Sequence, residues 1–186
     1  MTSRRAPVAA PRLAFGKDDA RALVAYNEAV FERYARRLAR LPRDAATRRR
    51  EIGHQSLFDT LVHILNVHEV WLVYIVPGRQ RELPGLFRQS YRRPKDLAGL
   101  RSYARQVWEG ARSTVEGLTE RTLGERVKAP WMPGRYTVRD ALLQTTLEQA
   151  HHLGEVIAAL WQDDIEPPEM TWIDTRRSAA RTRRRP

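Results

Sequence analysis

The chain has 186 residues, 42% hydrophobic and 30% charged, with a formal net charge of +11 and no Cys. That is the length of one ordinary domain with room for a core, and the composition excludes a disordered protein along with disulfides, thiolate metal sites and cysteine nucleophiles. No apolar run reaches the roughly 18 residues of a membrane span. The start, Met1–Phe15, has no continuous apolar stretch of the secretory kind, so the expected location is the cytoplasm.

Residues 1–16 are rich in Pro, Ala and Arg and read as a flexible N-terminal segment. From Asp18 to Leu41 the apolar positions Leu23, Tyr26, Val30, Tyr34 and Leu38 recur at helical spacing, and Pro42 ends the run. A charged connection leads to a second helix over about Gln55–Val76, so apolar that it must be covered on most sides, with Pro77-Gly78 as its stop. Residues 77–93 read as a long link. A third helix follows over about Pro94–Leu118, with Asp96 at its positive end. After a Pro- and Gly-containing loop, Thr137 is a plausible N-cap with Asp140 three residues on, opening a fourth helix that runs to about Trp161. Four helical patterns without alternating strands predict an all-α four-helix bundle over 17–170. Links of this length imply crossings over the bundle, so a simple up-down-up-down order is not assured.

The charge is unevenly placed. Only Lys17, Lys95 and Lys128 are lysines, and the other thirty basic residues are Arg. In Thr171–Pro186 six Arg against Asp174 carry +5 of the +11, which reads as a disordered Arg-rich tail over 171–186. Such a tail adds salt-sensitive, non-specific affinity for nucleic acid without being the domain's purpose.

Four of the five His lie in the two most apolar helices, where an imidazole needs a partner. Glu148 and His152 are one turn apart, on the inward stripe of Ala141, Thr145, Val156 and Ala159. His63 lies on the stripe Ser56, Thr60, Val67 and Val70. Together His63, Glu148 and His152 make a two-histidine, one-carboxylate face that can hold one divalent transition metal and leave positions open for water or substrate. The competing reading is a buried hydrogen-bonded cluster without metal. His151 points about 100° from His152, toward a ligand, an interface or solvent. Glu155 is placed to accept a proton from a histidine Nδ1 or to pair with an Arg. Glu69 is a candidate for the surroundings of the site, His68 for packing, and His54, ahead of the helix, for an ordinary role. Gly154 inside the fourth helix suggests close approach by another helix, and Trp131 suggests a cap on the open side of the site. Trp71, Trp108 and Trp161 read as core or interface first.

These residues carry a resemblance. Leu61-Val62-His63-Ile64-Leu65-Asn66-Val67-His68-Glu69-Val70-Trp71, then Tyr136-Thr137-Val138-Arg139-Asp140 and Glu148-Gln149-Ala150-His151-His152-Leu153-Gly154-Glu155, resemble the ligand helices of the DinB/YfiT-like superfamily, regarded as metalloenzymes. His63 matches the first ligand and His152 the last. Glu148 stands where the family usually has a histidine, and Leu153 replaces a usual basic residue. The resemblance covers about Ala20–Trp161. It implies an up-up-down-down bundle with long crossover connections, a zinc- or nickel-like ion near one end, often a homodimer, and in some relatives thiol-dependent S-transferase or isomerase chemistry. On that implication His151, Glu155 or Glu69 moves the proton, and Arg135 and Arg139 hold an anionic substrate group. The alternatives are a metal-stabilised stress or small-molecule-binding protein without catalysis, and an Arg-driven nucleic-acid-binding module, for which no helix-turn-helix or RNA-reading sheet is visible.

Overall fold

In the computed structural model the described residues are 15–83 and 94–173. The segment expected to be flexible over 1–16 and the tail expected to be disordered over 171–186 lie almost wholly outside them, as does most of the link over 77–93.

The domain is built on four long helices. α1 spans Lys17–Leu38, α3 spans Leu57–His68 and continues as a π-helical stretch over Glu69–Ile75, α4 spans Leu97–Gly117 and α6 spans Val138–Gln162. Two short helices, α2 (Arg43–Thr47) and α5 (Glu120–Leu123), sit in the links, and β1 (Arg126–Val127) pairs antiparallel with β2 (Tyr136–Thr137) just before α6. The all-α bundle is as expected. The two-residue ladder and the short helices were not, because elements this short have no periodicity to read.

The helix starts follow from their caps. Ser56 Oγ accepts from the Asp59 N–H at 3.0 Å, and Asp96 Oδ1 accepts from the Gly99 N–H at 2.8 Å. At the head of α6, Thr137 Oγ1 accepts from the Asp140 N–H at 3.1 Å while Asp140 Oδ2 accepts from the Thr137 N–H at 2.8 Å, a reciprocal capping box. Each cap of this kind contributes about 1 kcal/mol.

Around the bundle, α1 lies between α4 and α6, and α3 closes the ring against α4 and α6. Directions follow from which ends meet. Arg21, near the start of α1, pairs with Glu116 at the end of α4, so these two are antiparallel. Phe15, just before α1, accepts from Arg139 near the start of α6, while Tyr34 and Arg37 at the end of α1 donate to Pro168 and Glu166 beyond α6, so α1 and α6 are parallel. Asn66 meets Tyr103 and Leu72 meets Thr114, so α3 and α4 are parallel. In chain order the helices therefore run up, down, down, up, where the sequence reading expected up-up-down-down. The crossover that parallel neighbours require is the one between α3 and α4.

The core is filled by Phe31, Tyr34 and Leu38 of α1, Leu57, Leu61, Leu65 and Leu72 of α3, Trp108 of α4 and Leu160 of α6, all nearly inaccessible. Each such side chain contributes about 1.5–3 kcal/mol on burial. One close helix approach falls at Gly110, where a Cβ would lie 2.8 Å from Val73 Cγ2. Gly154, expected to mark such an approach, does not do so within the chain: a Cβ there would meet nothing within 4 Å beyond its own helix backbone.

Candidate metal centre

His63 is placed by α3, whose first turn is fixed by Ser56. His152 is placed by α6 and is buried. His54 comes from the connection between α2 and α3, which folds back over the end of the bundle. That connection is tied at several points. The Arg50 N–H donates to Gln55 O at 2.6 Å and the Ser56 N–H to His54 O at 2.8 Å, and Gln55 takes the left-handed conformation at φ 64°. Arg50, its side chain 8% exposed, donates to Asp163 Oδ2 at 2.6 Å and to Ala45 O at 2.9 Å, and Arg48 pairs with the other oxygen of Asp163. Asp163 closes α6, so the connection is clamped to the end of the helix that carries His152.

The three imidazoles meet. His54 stacks on His63 with centroids 3.7 Å apart, and His152 stands nearly edge-on to both at 4.8 and 4.6 Å. One ligand nitrogen from each lies within 4.8 Å of the other two. Burial, then the neighbouring His54 and His152, push His63 down to about 4, and burial followed by His152 lowers His54. Neutral imidazole is the form that binds a metal, and burial favours that form at His63 and His54.

His152 is oriented from behind. Its Nδ1 lies 3.1 Å from Glu155 Oε2, and its Nε2 lies 3.4 Å from Glu148 Oε2. Burial opposes ionisation of Glu155, but bonds from His152 and the Gly53 N–H, with the charges of His152 and His151, outweigh it and hold the carboxyl below its usual range. A carboxylate behind a histidine fixes its tautomer and frees the other nitrogen for a ligand. A Cβ on Gly53 would fall 2.9 Å from Glu155 Oε1, so a larger residue there would displace this carboxylate.

Glu148 touches His152 but does not join the group of three. Its Oε1 accepts from Gln144 Nε2 at 2.7 Å, and with His63 it lines a cavity of about 670 Å³ walled by Trp71 and Trp131. Trp131 thus stands at the open side of the site. Exposed His151 groups with His152 and Glu155 in a second cluster of ligand atoms. Glu69 lies elsewhere, its Oε2 2.5 Å from the Tyr103 hydroxyl. His68 is fully buried against Trp108, its Nε2 2.9 Å from Gln149 Oε1.

His54 is the residue that reading the sequence passed over. It obeys no helical period, and the only signal beside it is Gly53. Among the described residues, then, clusters of three histidines and of two histidines and a glutamate at one end of the bundle could hold a metal ion.

A family model described as the DinB superfamily matches residues 26–156, a span that includes His54, His63, Glu148, His152 and Glu155. The chain belongs to the DinB superfamily. No curated protein matches it.

Proposed function

We propose, starting from membership of the DinB superfamily, that the chain is a divalent-metal-dependent enzyme, its ion being zinc or nickel, with chemistry of the thiol-dependent S-transferase or isomerase type. The observation that carries the reading is the convergence of His54, His63 and His152 within 4.8 Å. His63 and His152 serve as donors in either version of the site. The third donor that the geometry favours is His54, and Glu148, the donor expected from the sequence, lies beside His152 facing the cavity.

A divalent ion held there supplies a Lewis acid that lowers the pKa of a bound thiol or water. The chain's own groups do the rest. Glu155 keeps His152 in one tautomer, and Glu155 and His151, at the rim, are the groups that pass a proton to or from solvent. Trp71 and Trp131 shield the open side from water. The same reading places the protein in the cytoplasm as a homodimer, with a small-molecule substrate and a low-molecular-weight thiol as partners. Nucleic acid is met only through non-specific contacts of the basic tail. No helix among the described residues is long and apolar enough to cross a membrane.

Elemental analysis of protein purified without chelator tests the reading. Stoichiometric zinc or nickel in the wild type, lost in His63→Ala and His152→Ala, is the expected result, and a metal-free wild type would overturn it. Thiol-dependent turnover that disappears in His63→Ala separates the enzyme from a non-catalytic metal-binding protein. The near-parallel stack of His54 on His63 favours the second reading, a buried histidine cluster without metal, and a metal-free wild type is what that reading expects.

A further inference from the structure

His152 has two ring nitrogens, and each faces a different carboxylate. Nε2 lies 3.4 Å from Oε2 of Glu148, which lines the cavity walled by Trp71 and Trp131. Nδ1 lies 3.1 Å from Glu155 Oε2. On the Glu155 side, His151, His152 and Glu155 bring one ligand atom each within 4.8 Å of the other two, the same bound that holds for His54, His63 and His152.

The two groups share His152 and differ in depth. His151 is exposed, the Glu155 side chain is 25% exposed and that of His152 is 10% exposed. His151 and Glu155 are one turn apart on α6, so they stand on one flank of the helix. The rings of His151 and His152 cross at 70° with centroids 4.8 Å apart. Together the three residues grade from solvent to the ring that the interior group uses. Two imidazoles and a carboxylate are a donor set for a divalent transition metal, and a carboxylate at the mouth raises the local concentration of cations. A buried metal site needs such an entry path. Two dications on opposite nitrogens of one imidazole repel, so the outer group suits an ion while the interior is empty.

We infer that His151, Glu155 and Nδ1 of His152 form a second, transient metal site at the rim, which captures a divalent ion from solvent and passes it to His54, His63 and His152. This rests on the proposed function in taking those three histidines as the ion's resting place. To bind at the rim, His152 carries its ring proton on Nε2, facing Glu148. To bind in the interior it carries that proton on Nδ1, facing Glu155. One proton changes nitrogen by way of solvent as the ion passes, and no other bond but coordination is made or broken.

A site on the path acts on rates and not on final affinity, because entry and exit both cross it. Zinc release to excess chelator is followed on the protein as purified, and zinc loading on protein stripped of metal, for the wild type and His151→Gln, with circular dichroism to confirm folding. Both rates should fall about tenfold in His151→Gln, and their ratio, the affinity, should hold. The rim is read directly in His54→Ala/His63→Ala, where the interior group has lost two donors. That variant should take up one cobalt ion in a titration, too weakly to survive purification, and adding His151→Gln should weaken the uptake about tenfold. Wild-type rates in His151→Gln overturn the inference, and so does a His54→Ala/His63→Ala variant that takes up no cobalt. An affinity that falls as far as the loading rate also overturns it, by making His151 a ligand of the resident ion. A tightly held ion whose exchange ignores His151 sinks the rim site and leaves the proposed function standing. A wild type that holds no tight ion, binds cobalt no better than His54→Ala/His63→Ala and loses it with His151 sinks the buried centre and supports the rim site alone.

Discussion

His68 shows what a buried histidine does when no metal is involved. Gln149 Nε2 donates to Asn27 O at 3.0 Å, so its Oε1 is the acceptor, and His68 must carry its proton on Nε2 to donate to it. Nδ1 is left bare among apolar neighbours, and burial pushes the ring down to about 4. The unfolded chain takes up this proton near 6.5, whereas folded His68 refuses it until about 4. Its contribution is therefore fully present above pH 6.5 and lost as pH falls through about 4, with a size on the order of 3 kcal/mol. Urea unfolding at pH 7 and pH 4.5 should show that loss in the wild type. His68→Gln should remove its own share of the dependence, leaving the part due to His63 and His54, while lowering stability at pH 7 by about 1–3 kcal/mol. The metal donors are expected to separate by residue as well. His54→Ala should weaken metal binding by tenfold or more and Glu148→Gln by much less, read by competition with a chromophoric chelator. His63 and His152 were legible in the sequence because helical spacing puts both on inward stripes. His54 was not, since its place depends on a turn through Gly53 and Gln55 that closes over the bundle end.

Among the elements, the Thr137–Asp140 cap was the most readable feature, because it needs only its own local geometry, while Asp96, read as a charge at the positive end of its helix, is itself the N-cap. The π-helical stretch Glu69–Ile75 was not readable. It continues α3 without a break, and nothing in its apolar residues distinguishes a wide turn from an ordinary one. Its widening brings Val70 and Trp71 to the cavity, the kind of place where π turns recur. The connection that carries His54 depends on another unreadable contact, the grip of Asp163 on Arg48 and Arg50. The Arg50 bond, then the charges of Arg50 and Arg48, hold the Asp163 carboxyl below its ordinary range. Asp163→Ala leaves Arg50 nearly buried with one fewer partner. It should lower stability by about 1–3 kcal/mol, raise hydrogen exchange at Gly53 and Gln55, and weaken metal binding about tenfold through His54. Arg48→Ala, at the exposed arm of the clamp, should change stability by no more than about 0.5 kcal/mol. Equal effects from the two variants would mean that the clamp does not position His54.

At the scale of the whole molecule, periodicity identifies a helix but not its direction, so the up, down, down, up order needed the contacts between helix ends. The outer face of α6 was legible only in part: Trp161 read as core or interface and Gly154 as a point of close approach, while Leu143 and Leu147 had no assigned role. Leu143, Leu147, Ala150, Gly154, Ile157 and Trp161 follow one another at alternating steps of four and three, the spacing of a helix–helix seam. In a single chain Leu147 is 65% and Trp161 56% exposed, and Gly154 faces open space. Large side chains at both ends of the stripe with Ala150 and Gly154 between them suit an antiparallel two-fold pairing of α6 with α6 of a second copy, the small residues meeting at the axis. His152 and Glu148 point the other way, toward the histidines and the cavity, so the pairing does not need the metal. Sedimentation velocity should show a dimer of the 21.6 kDa chain at micromolar concentration. Leu147→Asp should convert it to a folded monomer that still binds metal. Gly154→Leu, at the close-approach point, should weaken the dimer about tenfold or more through steric overlap. A monomeric wild type, or a Leu147→Asp variant that dimerises unchanged, would assign this stripe no role in pairing.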